Sequence, residues 1–412
     1  MKLRKEGLRL NTFSSLKMPE TIFYGRGSFE TVGKEAASRG KKALIISDPI
    51  MNDLGYIDQC IQFLNAYKVN HAIYLDIKSE PIDIYVDESL KLFTEEACDL
   101  IISLGGGSCI DTAKAVAIVA TNGGYIGDYM GGNKLADKKA VPHISIPTTA
   151  GTGSEVSDVT VITNTKSDVK MMIKQPAFIP SVAIVDPILT VSSPKSVTAA
   201  TGVDALSHAV EAFLSKKAHP MTDVLALSAM DLIVNNIRSA YANGEDLNAR
   251  EAMALGSMQA GIAFSNSSVC LVHGMSRPIG ALFHVPHGVS NAMLLPAVLE
   301  FSQAECIDQL AKLGEIFSKK TTLSNVESAL LAVEEVKKLC LDLDIPNLKL
   351  WGIDEEVFSQ VIDKMASDAL ASGSPRNNPR VPTKEEIVEL YKVCFNFQFS
   401  GNETLDRKGE TV

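Results

Sequence analysis

DLIISLGGGSCIDTAKAVAIVAT, Asp99 to Thr121, decides how the rest of the chain is read. It opens with a short apolar run. Gly105-Gly106-Gly107-Ser108 then makes a turn, and the residues beyond it have the apolar face of a helix carrying Asp111 and Lys114. Lys42 to Ser47 (KALIIS), His143 to Ile146 and Val182 to Val185 are further short apolar runs. Between these runs lie amphipathic stretches such as Gly55 to Tyr67 and Tyr85 to Ala97, long enough for crossover helices. Strands apolar on both faces and joined by helices predict a parallel α/β sheet.

After Val185-Asp186-Pro187 strand-like runs nearly vanish and long helical patterns take over, first Ser196 to Ser215, then Met221 to Ala242. An α/β domain over 1–190 and an all-helical domain over 191–412 are expected, with Pro187 and Pro194 marking the boundary. A chain of 412 residues is long enough for two cores. The polar tail after Gly401 is expected to fray.

Forty-nine acidic against 39 basic side chains leave a net charge of −10, so no global field gathers nucleic acid or anionic lipid. No apolar run reaches the length of a membrane span, and the opening MKLRKEGLRLNTFSSLKMPETIFYG has charge without an apolar stretch behind it. The seven cysteines are scattered and lack a CxxC pair, which argues against a disulfide framework and against a thiolate zinc site. A cytoplasmic protein with no membrane or nucleic-acid partner is the expectation.

The glycines let a phosphate approach the backbone, and the helix after them offers unpaired N–H groups and its positive dipole end. Taken alone, such a turn can also simply reverse the chain. A second turn, Pro147-Thr148-Thr149-Ala150-Gly151-Thr152-Gly153-Ser154-Glu155, supplies hydroxyls suited to ribose and phosphate oxygens, or merely caps a helix. Asp48, just after KALIIS, could accept hydrogen bonds from an adenosine ribose and disfavour a 2′-phosphate; it also reads as a turn aspartate before Pro49.

Asp204 and His208 in TAATGVDALSHAVEAF are four residues apart and share a helix face. His273 (CLVHGMSRP) and His287 (VPHGVSNA) each adjoin a glycine, in a chain with seven histidines. Together they make a nitrogen-and-oxygen donor set suited to Fe(II), Zn(II) or Mn(II). Separately, Asp204 and His208 could be an ordinary side-chain contact, and each remaining histidine a core residue. Their occurrence beside two nucleotide-like turns favours the metal reading.

From about Thr21 to Phe395 the sequence resembles the iron-containing (type III) alcohol dehydrogenases, which share a fold with dehydroquinate synthase and glycerol dehydrogenase. GGGSCIDTAK, IPTTAGTGSEVSDVTVI, ATGVDALSHAVEAF, VHGMSRPIG, PHGVSNA and Asn378-Pro379-Arg380 carry the resemblance. It implies a Rossmann-like parallel-sheet domain followed by an all-helical metal-binding domain, with the active site between them. It further implies iron, or zinc as in some relatives, on Asp204, His208, His273 and His287. NAD(H) would lie with its ribose at Asp48, its pyrophosphate at Gly105, Gly106, Gly107 and Ser108, and its nicotinamide half along Thr148, Thr149, Lys170 and Leu189. The expected activity is hydride transfer between nicotinamide and a short-chain alcohol or aldehyde, in a homo-oligomer, dimer or larger.

Two departures stand out. Cys109 occupies a position where the family normally has proline, and Arg277 stands where many members have a histidine assigned to proton handling. With Arg277 there, the proton is expected to travel through water or a ribose hydroxyl, with His284 as a lesser relay candidate. Arg277 lies one helical turn beyond His273, so its guanidinium could bind an anionic substrate such as sulfoacetaldehyde or succinic semialdehyde, helped by Arg376 or Arg380; equally, it could form an interface salt bridge. A neutral diol such as 1,3-propanediol is the rival substrate. A lyase of the dehydroquinate synthase type, without net NADH turnover, and a binding protein holding neither metal nor cofactor are the rival classes.

Overall fold

In the computed structural model, residues 13–78, 80–167, 169–319 and 322–399 are described. The polar tail after Gly401 lies outside them. The apolar run after Asp99 forms β4 (Leu100–Gly105), buried along its whole length as a strand covered on both faces must be. It sits inside a six-stranded sheet with β1 (Thr21–Tyr24), β2 (Lys42–Ile46), β3 (Asn70–Tyr74), β5 (His143–Pro147) and β8 (Val182–Val185), in the order β1-β8-β5-β4-β2-β3. Every pairing in this sheet is parallel. The helices α1 (Val32–Ala37), α2 (Pro49–Asp53), α3 (Tyr56–Ala66), α4 (Asp83–Glu95) and α5 (Gly107–Asn122) alternate with the first strands.

That order has a functional consequence. From β2 the chain moves outward to the edge strand β3, then returns to β4 on β2's other side and continues toward β5 and β8. The direction reverses between β2 and β4, and open α/β sheets bind their ligands in the crevice beyond the C-terminal ends of strands at such a switch. Asp48 follows β2 and the glycine turn follows β4, so both stand at that crevice.

One element departs from the expected plain alternation. Val159–Asn164 (β6) and Val169–Lys174 (β7) form a separate antiparallel pair. After β8 the described residues contain no strand. The two long helical patterns are α6 (Lys195–Leu214) and α7 (Pro220–Ala242), followed by α8 (Leu247–Asn266), α9 (Leu271–Phe283), α10 (His287–Ser302) and further helices between 307 and 395. Nearly every residue of α6 from Thr198 onward is buried, including Asp204, His208 and Glu211. A helix enclosed on all sides must satisfy its polar groups within the protein or at a cavity, and the Nδ1 of His208 is left without a hydrogen-bond partner among the described residues.

Candidate active site

At two of the three glycines of the turn after β4 a side chain would not fit. Gly105 has φ of 154°, and a Cβ there would stand 2.6 Å from Cys109 Sγ. Gly106 is the extended N-cap of α5, and a Cβ on Gly107 would meet Thr152 Cγ2 at 2.9 Å. The Thr148 N–H donates to Gly105 O at 3.1 Å, tying the second turn to the first, and Thr149 flanks Gly106. A 16-residue helix thus presents its N-terminus behind a backbone free of side chains, which fits a pyrophosphate.

Asp48 caps α2, its Oδ1 accepting from Met51 N at 3.0 Å, while its Oδ2 accepts from the Cys109 thiol at 3.5 Å. The cysteine that replaces the family's proline therefore links the acid to the turn. Lys114 is buried and donates to Ser154 Oγ, Ser157 Oγ and Val159 O at 2.9, 3.1 and 2.8 Å, which fastens the second turn to α5. Burial pulls its pKa down to about 8, against the opposing pull of Asp111, Glu155 and Asp158.

The second cluster is built from three helices. Asp204 and His208 come from α6, His273 from α9 and His287 from the first turn of α10, and one donor atom from each lies within 4.8 Å of all the others. The Nε2 atoms of His208 and His273 are 2.9 Å apart. Asn291 of α10 donates to Asp204 Oδ1 at 2.6 Å. Burial, followed by the nearby His208 and Arg277, holds His273 well below the ordinary histidine range. Burial also takes His287 down to about 3, despite the opposing pull of Asp204. Neutral imidazoles keep their lone pairs, so this donor set suits a borderline divalent cation.

Sequence reasoning missed two residues of this cluster, Asn291 and Glu211. Glu211 is buried, its Oε1 accepts from Val272 N at 2.6 Å, and its Oε2 lies 2.6 Å from His273 Nδ1. Burial first raises its pKa, to about 7, against backbone N–H groups that favour the carboxylate. Its spacing was the available signal, since it lies one turn after His208 and two after Asp204 on α6.

A cavity of about 250 Å³ joins the two clusters, with Gly107, Ser108, Lys170, His208, His273, Arg277 and His287 among its lining residues. Asp204 lies deeper, and Leu189 packs its side chain in the sheet core with Leu104 and Ile146, leaving only its backbone to approach a cofactor. Lys170, on β7, is ion-paired with Glu80.

The half-buried Arg277 donates to Ser374 Oγ at 3.1 Å and to Met172 Sδ at 2.9 Å, and no carboxylate pairs with it among the described residues. The salt-bridge alternative for it is thus corrected. Burial lowers its pKa to about 10, with Glu211 opposing. Two other expectations are also corrected. Arg380 is turned away, paired with Glu386 at 2.6 Å and stacked on Phe301, while the exposed Arg376 does not line the cavity. The exposed His284 ends α9 outside the cavity lining, so it offers no relay there.

Two family models cover almost the whole described chain. Residues 19–187 match the iron-containing alcohol dehydrogenase model, and 198–395 match the C-terminal model of the Fe-containing alcohol dehydrogenase family. The chain belongs to the iron-containing alcohol dehydrogenase family. It is an NAD-dependent alcohol dehydrogenase of that family, with NAD(H) and iron as its cofactors, and the lyase and binding-protein alternatives fall away. The chain is 39% identical over 381 residues, 91% of its length and 98% of the relative's, to the NAD-dependent methanol dehydrogenase of Bacillus methanolicus. It superposes on a 1,3-propanediol oxidoreductase with a TM-score of 0.89 at 36% identity, covering 93% of this chain and 100% of that one. The sulfoacetaldehyde reductase of Bifidobacterium kashiwanohense, in complex with NAD+, aligns with a TM-score of 0.81 at 29% identity, covering 94% and 100%.

Proposed function

We propose that this alcohol dehydrogenase interconverts a short aldehyde and alcohol bearing an anionic group, sulfoacetaldehyde or succinic semialdehyde being of the right kind, and that Arg277 binds the anion. The observation that carries the reading is a guanidinium at the cavity with no carboxylate partner among the described residues. A desolvated cation without an anion is unfavourable, and an anionic substrate supplies the missing charge with paired hydrogen bonds. With a pKa of about 10, Arg277 keeps its proton near neutrality and acts by charge. Proton exchange then passes through water.

In this reading Asp204, His208, His273 and His287 hold the metal, and the turn from Gly105 to Ser108 holds the pyrophosphate. Thr148, Thr149, Lys170 and the Leu189 backbone flank the nicotinamide half, and Asp48 takes the ribose. The metal supplies Lewis acidity and the nicotinamide supplies or accepts the hydride. The protein's own part is orientation: α6, α9 and α10 aim the ligands, and the cavity wall places the reacting carbon. Residues 1–190 and 191–412 form the two domains. The seven free, buried cysteines support a reducing, cytoplasmic setting. A homo-oligomer, dimer or larger, belongs to the same reading, and light scattering tests it.

Arg277→Ala, assayed on matched anionic and neutral aldehydes, tests the substrate reading. Losing a charge-assisted contact costs about 2 kcal/mol, roughly thirtyfold in kcat/KM, on the anionic aldehyde alone. Equal losses on both, with unchanged metal content, would assign Arg277 to structure. The likeness to a 1,3-propanediol oxidoreductase favours a neutral diol as the second reading, and faster turnover of the diol by the unmodified enzyme would select it.

A further inference from the structure

We infer that Glu211 is a positioning residue that locks α9 onto α6 and, through one carboxylate, fixes both the tautomer and the placement of His273. The inference rests on reading Asp204, His208, His273 and His287 as the metal ligands.

Helix α9 begins without a cap of its own. Cys270 stands at its N-cap and makes no side-chain cap bond, so the first N–H groups of α9 need an acceptor from elsewhere. Glu211 supplies it from a different helix, with Oε1 2.6 Å from the N–H of Val272. A carboxylate there also meets the positive end of the α9 dipole. The Cys270 thiol turns back to Glu211 O at 3.5 Å, so the same turn of α6 holds the start of α9 twice.

The other carboxylate oxygen reaches the next residue of α9. With Oε2 2.6 Å from His273 Nδ1, a neutral imidazole must carry its hydrogen on Nδ1 to donate to a carboxylate, which leaves the Nε2 lone pair facing Asp204 and His208. A carboxylate behind a ligating histidine fixes the ring's orientation and raises its basicity. The clamp extends past His273. Arg277 projects one turn further along α9, so whatever sets the rotation of this helix about its axis also sets where the guanidinium enters the cavity. Elsewhere α6 packs chiefly on α7, α8 and α10, so the Glu211 contacts, together with the approach of His273 to His208 and Asp204, join the ligands of α6 to the ligand of α9.

Glutamine keeps the size of Glu211 but has a single acceptor oxygen and no charge, so it can serve only one of the two donors. Glu211→Gln is therefore expected to weaken Zn(II) and Mn(II) binding about ten- to a hundredfold in a chelator competition, the usual scale for groups behind a metal-bound histidine. The visible spectrum of the Co(II)-loaded protein should change with it, while NADH binding, followed by fluorescence, stays as in the unmodified enzyme. Wild-type metal affinity together with an unchanged Co(II) spectrum would overturn the inference. Should the glutamine variant not fold, Glu211→Asp decides: it keeps the charge but is too short to reach both donors, and unchanged affinity would again refute the role. A third readout needs no variant at this position. In Zn(II)-loaded protein with isotope-labelled histidine, His273 should show an exchange-protected hydrogen on Nδ1, and finding it on Nε2 would end the proposal. Failure of the ligand reading itself looks different, because His273→Ala would then leave metal affinity intact.

Discussion

The two ends of the cavity are made by opposite means. At the glycine-turn end the surface is backbone, and Gly105 and Gly107 leave no room for a Cβ; at the other end the four candidate ligand side chains converge from three helices. A cradle of this kind is local, since a strand, three glycines and a helix start bring every part within a few residues. A cage is global, because His208 and His273 meet only if α6 and α9 pack correctly. The difference teaches that substitutions at one end should spare the ligand of the other, and several measurements can break or sharpen that separation.

The largest effect is expected at the cage. His273→Ala combined with His287→Ala should remove most of the bound metal and lower kcat/KM by at least about a hundredfold, the scale lost with even one preorganised charge-stabilising group. NADH affinity should stay close to that of the unmodified enzyme; a parallel collapse of NADH binding would show that the two ends are not independent. Next comes the cradle. Gly107→Val places a branched side chain against Thr152, and overpacking of ~1–3 kcal/mol should weaken NADH binding about tenfold with the metal retained.

A subtler change probes the cofactor's identity. Asp48→Asn keeps the cap on α2, because asparagine caps as well as aspartate, but removes the charge that, on the proposed reading, repels a 2′-phosphate. The preference for NAD(H) over NADP(H), read as a ratio of kcat/KM values, should narrow about tenfold, in line with ~1–2 kcal/mol of lost repulsion. An unchanged ratio would leave Asp48 as a cap alone. The smallest effect belongs to Cys109→Ala, which removes a weak thiol donor from Asp48 and should alter NADH affinity by less than about threefold.

Much of this site was legible in the sequence for the same reason that its two ends differ. The glycine turn, Asp48 and the Asp204/His208 spacing are patterns within one or two elements, and the strands and helices around them came out within a few residues. Glu211 was not legible as a partner of His273, because 62 residues separate them and only the packing of α9 on α6 joins them. Arg376 and Arg380 were expected near the cavity from their place in the late NPR segment, yet Glu386 and Phe301 hold Arg380 elsewhere. The pair β6–β7 escaped notice because VTVITN and VKMMIK mix polar and apolar residues, one face toward the cavity and the other toward the core. Leu189 was expected along the nicotinamide half, yet its side chain packs in the sheet core, because a sequence does not say which way a side chain turns.

That pair of strands has a further consequence for how specificity is inherited. Lys170, Met172 and Lys174 are alternate residues of β7 lining the cavity, and Lys174 also donates to Ser265 O of α8 at 2.7 Å. Met172, from the first half of the chain, receives a contact from Arg277, from the second. On the proposed reading of Arg277, substrate choice would therefore be written jointly by both halves. A chimera that joins residues 1–190 of this protein to the helical half of a relative should keep this chain's cofactor preference and take its metal chemistry from the relative, but its substrate range should match neither parent.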